Sequence, residues 1–105
     1  MKKLALLMSM LWGFGAQAET EFWIDARTGS EYSSGHVEGA HNIPYDEIAE
    51  KIASVTTDKN AKIHLYCRSG NRSGKALKVL QNMGYTNAHN DGGISNLHHP
   101  AKLIN

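Results

Sequence analysis

From Phe22 onward, short apolar runs alternate with stretches in which apolar residues recur every three or four positions, the signature of strands alternating with helices. Phe22-Trp23-Ile24 predicts a short strand ending at Asp25. Ser30 to Ser34 has room for one or two helical turns, with Ser30 or Thr28 as cap and Gly35 as stop. Ala40 to Ile43 is a second extended piece, closed by Pro44, which disfavours helical backbone in the residue before it. Across Tyr45 to Ser54, Ile48, Ala49, Ile52 and Ala53 recur at helical spacing, and Glu47 lies four residues ahead of Lys51 as a supporting pair. Lys59-Asn60 turns the chain into Lys62 to Tyr66, dense enough in large side chains to lie inside a sheet. A helix is predicted over Ser73 to Met83, with Ala76, Leu77, Leu80 and Met83 on one face and Gly84 at its end. Thr86 to Asn90 is a weak strand, and Asp91-Gly92-Gly93 reads as a turn into a short C-terminal segment. The chain has no repeat or low-complexity tract, and the alternation predicts an α/β sheet covered on both faces.

The first eighteen residues depart from this pattern. Lys2 and Lys3 precede an uncharged run of eleven residues, Leu4 to Phe14, and Ala16-Gln17-Ala18 places small residues where a signal peptidase reads them. Apolar all round, the run lacks the polar face of a surface helix. It is too short for a permanent span, and no other stretch approaches the ~20 apolar residues one requires. Residues 1–18 are therefore expected to be an export signal cleaved after Ala18, with residues 19–105 forming the mature domain free of the membrane. Cleavage takes Lys2 and Lys3 away, so that the 105 residues become 87 and the formal charge moves from +1 to −1.

That length accommodates one domain. With 41% hydrophobic residues and almost no net charge, the composition excludes disorder and offers no basis for nucleic-acid binding. Cys67 is the one cysteine, which excludes an internal disulfide and a cysteine-cluster metal site. Charge is nonetheless unevenly placed: residues 19–58 hold nine Asp or Glu against Arg27 and Lys51, whereas residues 59–90 hold six Lys or Arg and no acid. For most of these charges the expected role is mutual neutralisation across the folded surface. Cys67, however, sits within the acid-free stretch, where cations favour both a thiolate and an approaching anion.

In an α/β sheet, chemistry collects where the carboxyl end of a strand turns into a helix. Cys67 occupies such a junction, between Ile63-His64-Leu65-Tyr66 and the helix beginning at Ser73. A lone cysteine at a strand end is most often an inert core thiol. The sequence Arg68-Ser69-Gly70-Asn71-Arg72 argues otherwise, since an inert thiol requires neither flanking arginines nor a glycine pivot. A loop of Gly, Asn and Ser can curl its N–H groups inward to form an anion nest, to which the helix dipole adds about half a positive charge. Such a thiol is expected to ionise between roughly 3.5 and 7.5 and to be a thiolate at neutral pH.

Cys67-Arg68-Ser69-Gly70-Asn71-Arg72-Ser73 resembles the active-site loop of the rhodanese family of sulfurtransferases. Asp25-Ala26-Arg27, Glu31-Tyr32 and the run Gly35-His36-Val37-Glu38-Gly39-Ala40-His41-Asn42-Ile43-Pro44 resemble its N-terminal signature, and Asp91-Gly92-Gly93-Ile94 its closing turn. The resemblance spans the mature chain in the family's order and implies a rhodanese-like domain with a central, mostly parallel sheet flanked by helices. A single domain behind a signal peptide further implies a periplasmic enzyme, expected to be a monomer.

The family's chemistry implies that the Cys67 thiolate attacks the outer sulfur of thiosulfate, releases sulfite and keeps a persulfide. A thiophilic acceptor such as cyanide or a thiol then takes the sulfur, and neither metal nor organic cofactor is needed. On this resemblance Cys67 is the nucleophile and Arg68, Ser69, Gly70, Asn71, Arg72 and Ser73 bind substrate, the arginines meeting sulfonate oxygens. Lys75 is a weaker candidate. A sulfur carrier or partner-binding module would use the same cysteine. Phosphatases and arsenate reductases are a further alternative, but they place one more residue between Cys and Arg than the four found here, Arg68 to Asn71.

Other residues are expected to be structural. Asp25 and Arg27 support the end of the first strand, with Arg27 and Glu31 as a candidate ion pair, and His36 is a turn residue. His64 is a satisfied sheet histidine, Trp23 and Tyr66 are core, and His98-His99 face solvent. Many relatives continue past the Gly-Gly turn with a Trp and a longer helix. Here Ser95-Asn96-Leu97-His98-His99-Pro100 predicts a shortened last helix and an open pocket wall, which bears on the acceptor.

Overall fold

The computed structural model describes residues 21–97 and 102–105, so the expected export signal and His98-His99 lie outside the described residues. Four parallel strands form the sheet in the order β3-β1-β4-β5. These are β1 (Glu21–Asp25), β3 (His41–Asn42), β4 (Lys62–Cys67) and β5 (Ala88–Gly93). The central β4 is buried from Ile63 to Cys67, as its unbroken run of large side chains requires.

Alternation along β4 sends successive side chains to opposite faces. Ile63 and Leu65 join Ile24, Ile48, Ile52, Ala76 and Leu80 in the larger core cluster. Tyr66 turns to the other face and packs with Val37, Ala40, Trp23, Tyr32, Ile94 and Leu97. The first cluster is roofed by helix α3 (Asn71–Asn82) together with the segment 45–54. The second lies under helix α1 (Gly29–Ser34) and the short strand β2 (His36–Val37). Fully burying one aliphatic side chain contributes about 1.5–3 kcal/mol, so both faces add stability.

Helix α1 starts where Thr28 Oγ1 accepts the Glu31 N–H and Glu31 returns a carboxylate to the Thr28 N–H, a reciprocal cap. The segment 45–54, expected as one helix, is instead a single α-turn, α2 (Ile48–Lys51), between 3-10 turns at Tyr45–Glu47 and Ile52–Ser54. Only Ile48 and Ile52 of its apolar residues are buried, while Ala49 and Ala53 face solvent. So narrow a stripe fastens one turn to the sheet and leaves both ends to tighten. The pair Glu47–Lys51 forms at 2.5 Å.

Two further differences concern the C-terminal part. The last sheet strand runs to Gly93 rather than turning at Asp91-Gly92-Gly93, because a bulge between Leu65 and Tyr66 pairs Gly92 and Gly93 with Tyr66 and Cys67. Thr86, expected at the start of this strand, is held in the preceding turn by its N–H on the Lys59 carbonyl, and the strand begins at Ala88. After one 3-10 turn, Ile94–Asn96, the chain returns as β6 (Leu103–Ile104), antiparallel to β2, a pairing no local pattern announces.

Beneath the second cluster lies a buried polar network. The Arg27 guanidinium grips Asp25 at 2.7–3.2 Å, Tyr66 donates its hydroxyl to Asp25 Oδ2 at 2.8 Å, and Arg27 reaches the Gly35 carbonyl at 2.7 Å. The expected pair between Arg27 and Glu31 is therefore not formed. A fully buried carboxylate has greater need of the nearby guanidinium than a partly hydrated one. His64 is satisfied on both ring nitrogens, with Glu21 at 2.6 Å and Asp91 at 3.0 Å, and stacks on the half-buried Trp23. No helix among the described residues is long and apolar enough to cross a membrane.

Candidate active site

The last residue of β4 is Cys67, buried at the carboxyl end of the sheet. From there Arg68-Ser69-Gly70 swings into α3, and Gly70 makes the turn with φ +99°, a left-handed conformation that would strain any side chain. The curl brings N–H groups onto the sulfur: Gly70 donates to Cys67 Sγ at 2.9 Å and Ser73 at 3.4 Å. Helix α3 has no side-chain cap of its own. Instead, Sγ accepts the Ser73 N–H, the third of the helix, as a capping oxygen ordinarily would.

The electrostatics follow from this arrangement. Burial pushes the Cys67 thiol up, but the Ser73 hydroxyl and the N–H groups of Ser73, Gly70 and Ser69 outweigh it and bring the thiol down to about 7. This lies at the upper end of the expected range because burial of the sulfur opposes the donors. Ser73 Oγ also lies 2.7 Å from Asn90 Oδ1. Having one proton, the hydroxyl can serve either Asn90 or an ionised sulfur, but not both at once.

Both loop arginines turn toward one carboxylate, Glu31. Arg72 meets it with both terminal nitrogens at 2.8 and 3.1 Å, and Arg68 reaches Oε2 through Nε at 3.2 Å. Glu31 Oε1 also accepts the N–H and hydroxyl of Thr28, at 3.0 and 3.1 Å. The Arg72 guanidinium and the Thr28 cap hold the carboxyl far below the usual range. Of the remaining loop residues, Ser69 lies at the exposed turn and Asn71 projects into solvent as the first helical residue. Lys75 is exposed with its ammonium 5.6 Å from the Tyr45 ring centre. His36 stacks on Tyr32 and bonds its carbonyl at 2.8 Å, as a turn residue would.

Sequence reasoning missed two contributors. Asn90 spans the loop, its amide donating to the Gly70 carbonyl at 2.9 Å while Oδ1 faces Ser73. No motif marks it, since its position is set by the bulge in β5. Gly93 was visible only as part of a turn; a Cβ there would sit 2.4 Å from the Arg68 carbonyl oxygen and 3.3 Å from Ser69 Cα. Both neighbours are backbone, so Gly93→Ala must displace the loop. The expected result is a loss of about 1–3 kcal/mol in stability, as for overpacking generally, together with a slower sulfur-transfer rate. Urea unfolding and steady-state kinetics check both.

The chain matches the rhodanese-like domain family over residues 7–99. It is 44% identical over 80 residues to thiosulfate sulfurtransferase PspE of Escherichia coli, covering 76% of this chain and 77% of that protein. A thiosulfate:glutathione sulfurtransferase of Saccharomyces cerevisiae is 33% identical over 75 residues, 61% of this chain and 54% of the yeast protein. A solved structure described as a rhodanese with anions from E. coli superposes with a TM-score of 0.73 at 43% identity, covering 78% of this chain and 96% of that one. A cysteine at a strand-to-helix junction, on a parallel sheet shared with sulfur-transferring relatives over most of its length, has one consistent reading: the chain belongs to the rhodanese family and is a sulfurtransferase.

Proposed function

We propose that this enzyme moves the outer sulfur of thiosulfate to a thiophilic acceptor through a persulfide on Cys67. The carrying observation is the Sγ atom set among N–H donors at the start of α3, which hold a charge on sulfur. In the first step the thiolate attacks the outer sulfur, the Cys67 S–S bond forms, and the donor S–S bond breaks with its electron pair leaving on sulfite. In the second, cyanide or a small thiolate takes the terminal sulfur and returns the Cys67 thiolate. The N–H groups on Sγ stabilise the thiolate, and the persulfide, whose charge moves to the outer sulfur, is stabilised by the positive end of α3 and the loop arginines. Arg68, 73% exposed and held only through Nε among the described residues, reaches the sulfonate most readily, and Arg72 assists with the N–H groups turned away from Glu31. Ser69, Gly70, Asn71 and Ser73 complete the binding loop. Export by cleavage after Ala18 and action as a monomer in the periplasm belong to the same reading.

The direct test is the intact mass after thiosulfate treatment, which should rise by one sulfur atom and fall back on adding cyanide. An unchanged mass, or release of phosphate from an aryl phosphate, overturns the reading. Because only the thiolate attacks, the rate of persulfide formation should be half-maximal near the thiol's value of about 7 and fall about tenfold per pH unit below it. Ser73→Ala removes a donor that favours the thiolate, so the midpoint of that profile should move upward by up to about one unit. A stopped-flow pH series on both proteins measures the shift.

A further inference from the structure

We infer that Glu31 sets the charge of the sulfur donor that the loop accepts, biasing it away from dianions and toward singly charged sulfane donors such as small-molecule persulfides and thiosulfonates. The inference rests on sulfur transfer at Cys67.

The segment that leads from the sulfur into α3 carries two cations, Arg68 and Arg72, and Arg72 feels the charge on Cys67. Arg27 is buried on Asp25, and Lys75 lies out over Tyr45. What remains is Arg68 and Arg72, and both are engaged by one carboxylate. Glu31 is not a casual surface partner. Its side chain is only 18% exposed, it takes both terminal nitrogens of Arg72, and the Thr28 cap fixes its position. It arrives from α1, across the sheet end from the loop, so its contact with Arg72 spans 41 residues of sequence. With Cys67 ionised, the two guanidinium charges are balanced by Glu31 and the thiolate. A dianion then meets a site of no net charge and must compete with Glu31 for the arginine forks. A monoanion gives up half as much of that lost attraction.

The test compares thiosulfate, a dianion, with benzenethiosulfonate, a monoanion that transfers the same outer sulfur and releases benzenesulfinate. Glu31→Gln keeps the shape and removes the charge. It should raise kcat/KM for thiosulfate by about tenfold and for benzenethiosulfonate by about threefold, because the Coulomb gain scales with donor charge. Most of the gain should appear in KM. Thr28→Ala removes the hydroxyl contacts but keeps the backbone N–H and Arg72 on the carboxylate, so it should lower the thermal midpoint and leave the ratio between donors unchanged; a ratio that shifts as far as in Glu31→Gln means that loosening α1 rather than charge sets the donor, and the inference fails. If Glu31→Gln slows both donors equally, Glu31 only holds the loop and the inference fails. A wild-type protein that gains no sulfur from either donor overturns the Cys67 reading itself, a distinct result. Should Glu31→Gln not fold, the wild-type salt dependence decides: kcat/KM for thiosulfate that stays nearly flat from about 20 to 200 mM salt supports the neutral site, and a tenfold fall overturns it.

Discussion

Replacing Cys67 with serine is expected to abolish sulfur loading, with thiosulfate turnover lowered by at least about a thousandfold, or roughly 4 kcal/mol of barrier. The reason is chemical rather than steric. A serine in the same ring of donors would receive the Gly70 and Ser73 N–H groups much as sulfur does, so the loop should keep its shape. Those groups bring a thiol to about 7, but an alcohol starts so much higher that no useful alkoxide forms at neutral pH. Oxygen would also have to form a weak O–S bond in place of the stable S–S bond of a persulfide. Intact mass after thiosulfate and thiocyanate production after cyanide measure the loss. Turnover above about a percent of wild type would place the nucleophile elsewhere, and with a single cysteine in the chain no second thiol exists to take over.

The largest effect on stability is expected at Asp25. Its carboxylate is fully buried and receives the Arg27 N–H, the Arg27 guanidinium and the Tyr66 hydroxyl. Asp25→Asn keeps the volume but sets an amide N–H against the guanidinium, leaving the Arg27 charge buried without a counterion. Removing one partner of such a pair costs about 3–5 kcal/mol, a large part of the total stability of a domain this size. The damage should also spread. Tyr66, whose own ionisation is pushed upward by burial and by Asp25, accepts the Val37 N–H and so ties β4 to β2. A urea midpoint lowered by that amount checks the prediction, and a change below about 1 kcal/mol would mean that water reaches the site. In contrast to Cys67→Ser, activity per folded molecule should change little, because Asp25 and Cys67 extend to opposite faces of the sheet.

Much of the fold was legible because its signals are local. The buried run of β4 and the apolar face of α3 each need only a few consecutive residues to declare themselves, and the sequence narrows the cap of α1 to Ser30 or Thr28, of which the structure uses Thr28. The same holds for the placement of Cys67 between strand and helix, which needs one run of β residues, one glycine and one helix start. The errors have a common origin. The segment 45–54 reads as one helix from its spacing and the Glu47–Lys51 pair, yet only Ile48 and Ile52 of it are buried in the core, with Tyr45 packed against the edge. The turn assigned to Asp91-Gly92-Gly93 ignored that glycine also permits two backbones to approach, which is its use at Gly93. Glu31 is the expected local ion-pair partner of Arg27, whereas burial selects Asp25.

By itself, then, the sequence determined that this is an α/β domain with a solitary cysteine aimed into the start of a helix, since backbone N–H geometry follows from local chain direction. Tertiary structure alone decided the charge around that cysteine. Glu31 belongs to the acidic half of the chain and Arg72 to the half without acids, and nothing in either neighbourhood says that they meet. They meet because α1 and the loop share one end of the parallel sheet. A carboxylate and a guanidinium side by side there neutralise each other, whatever their separation along the chain.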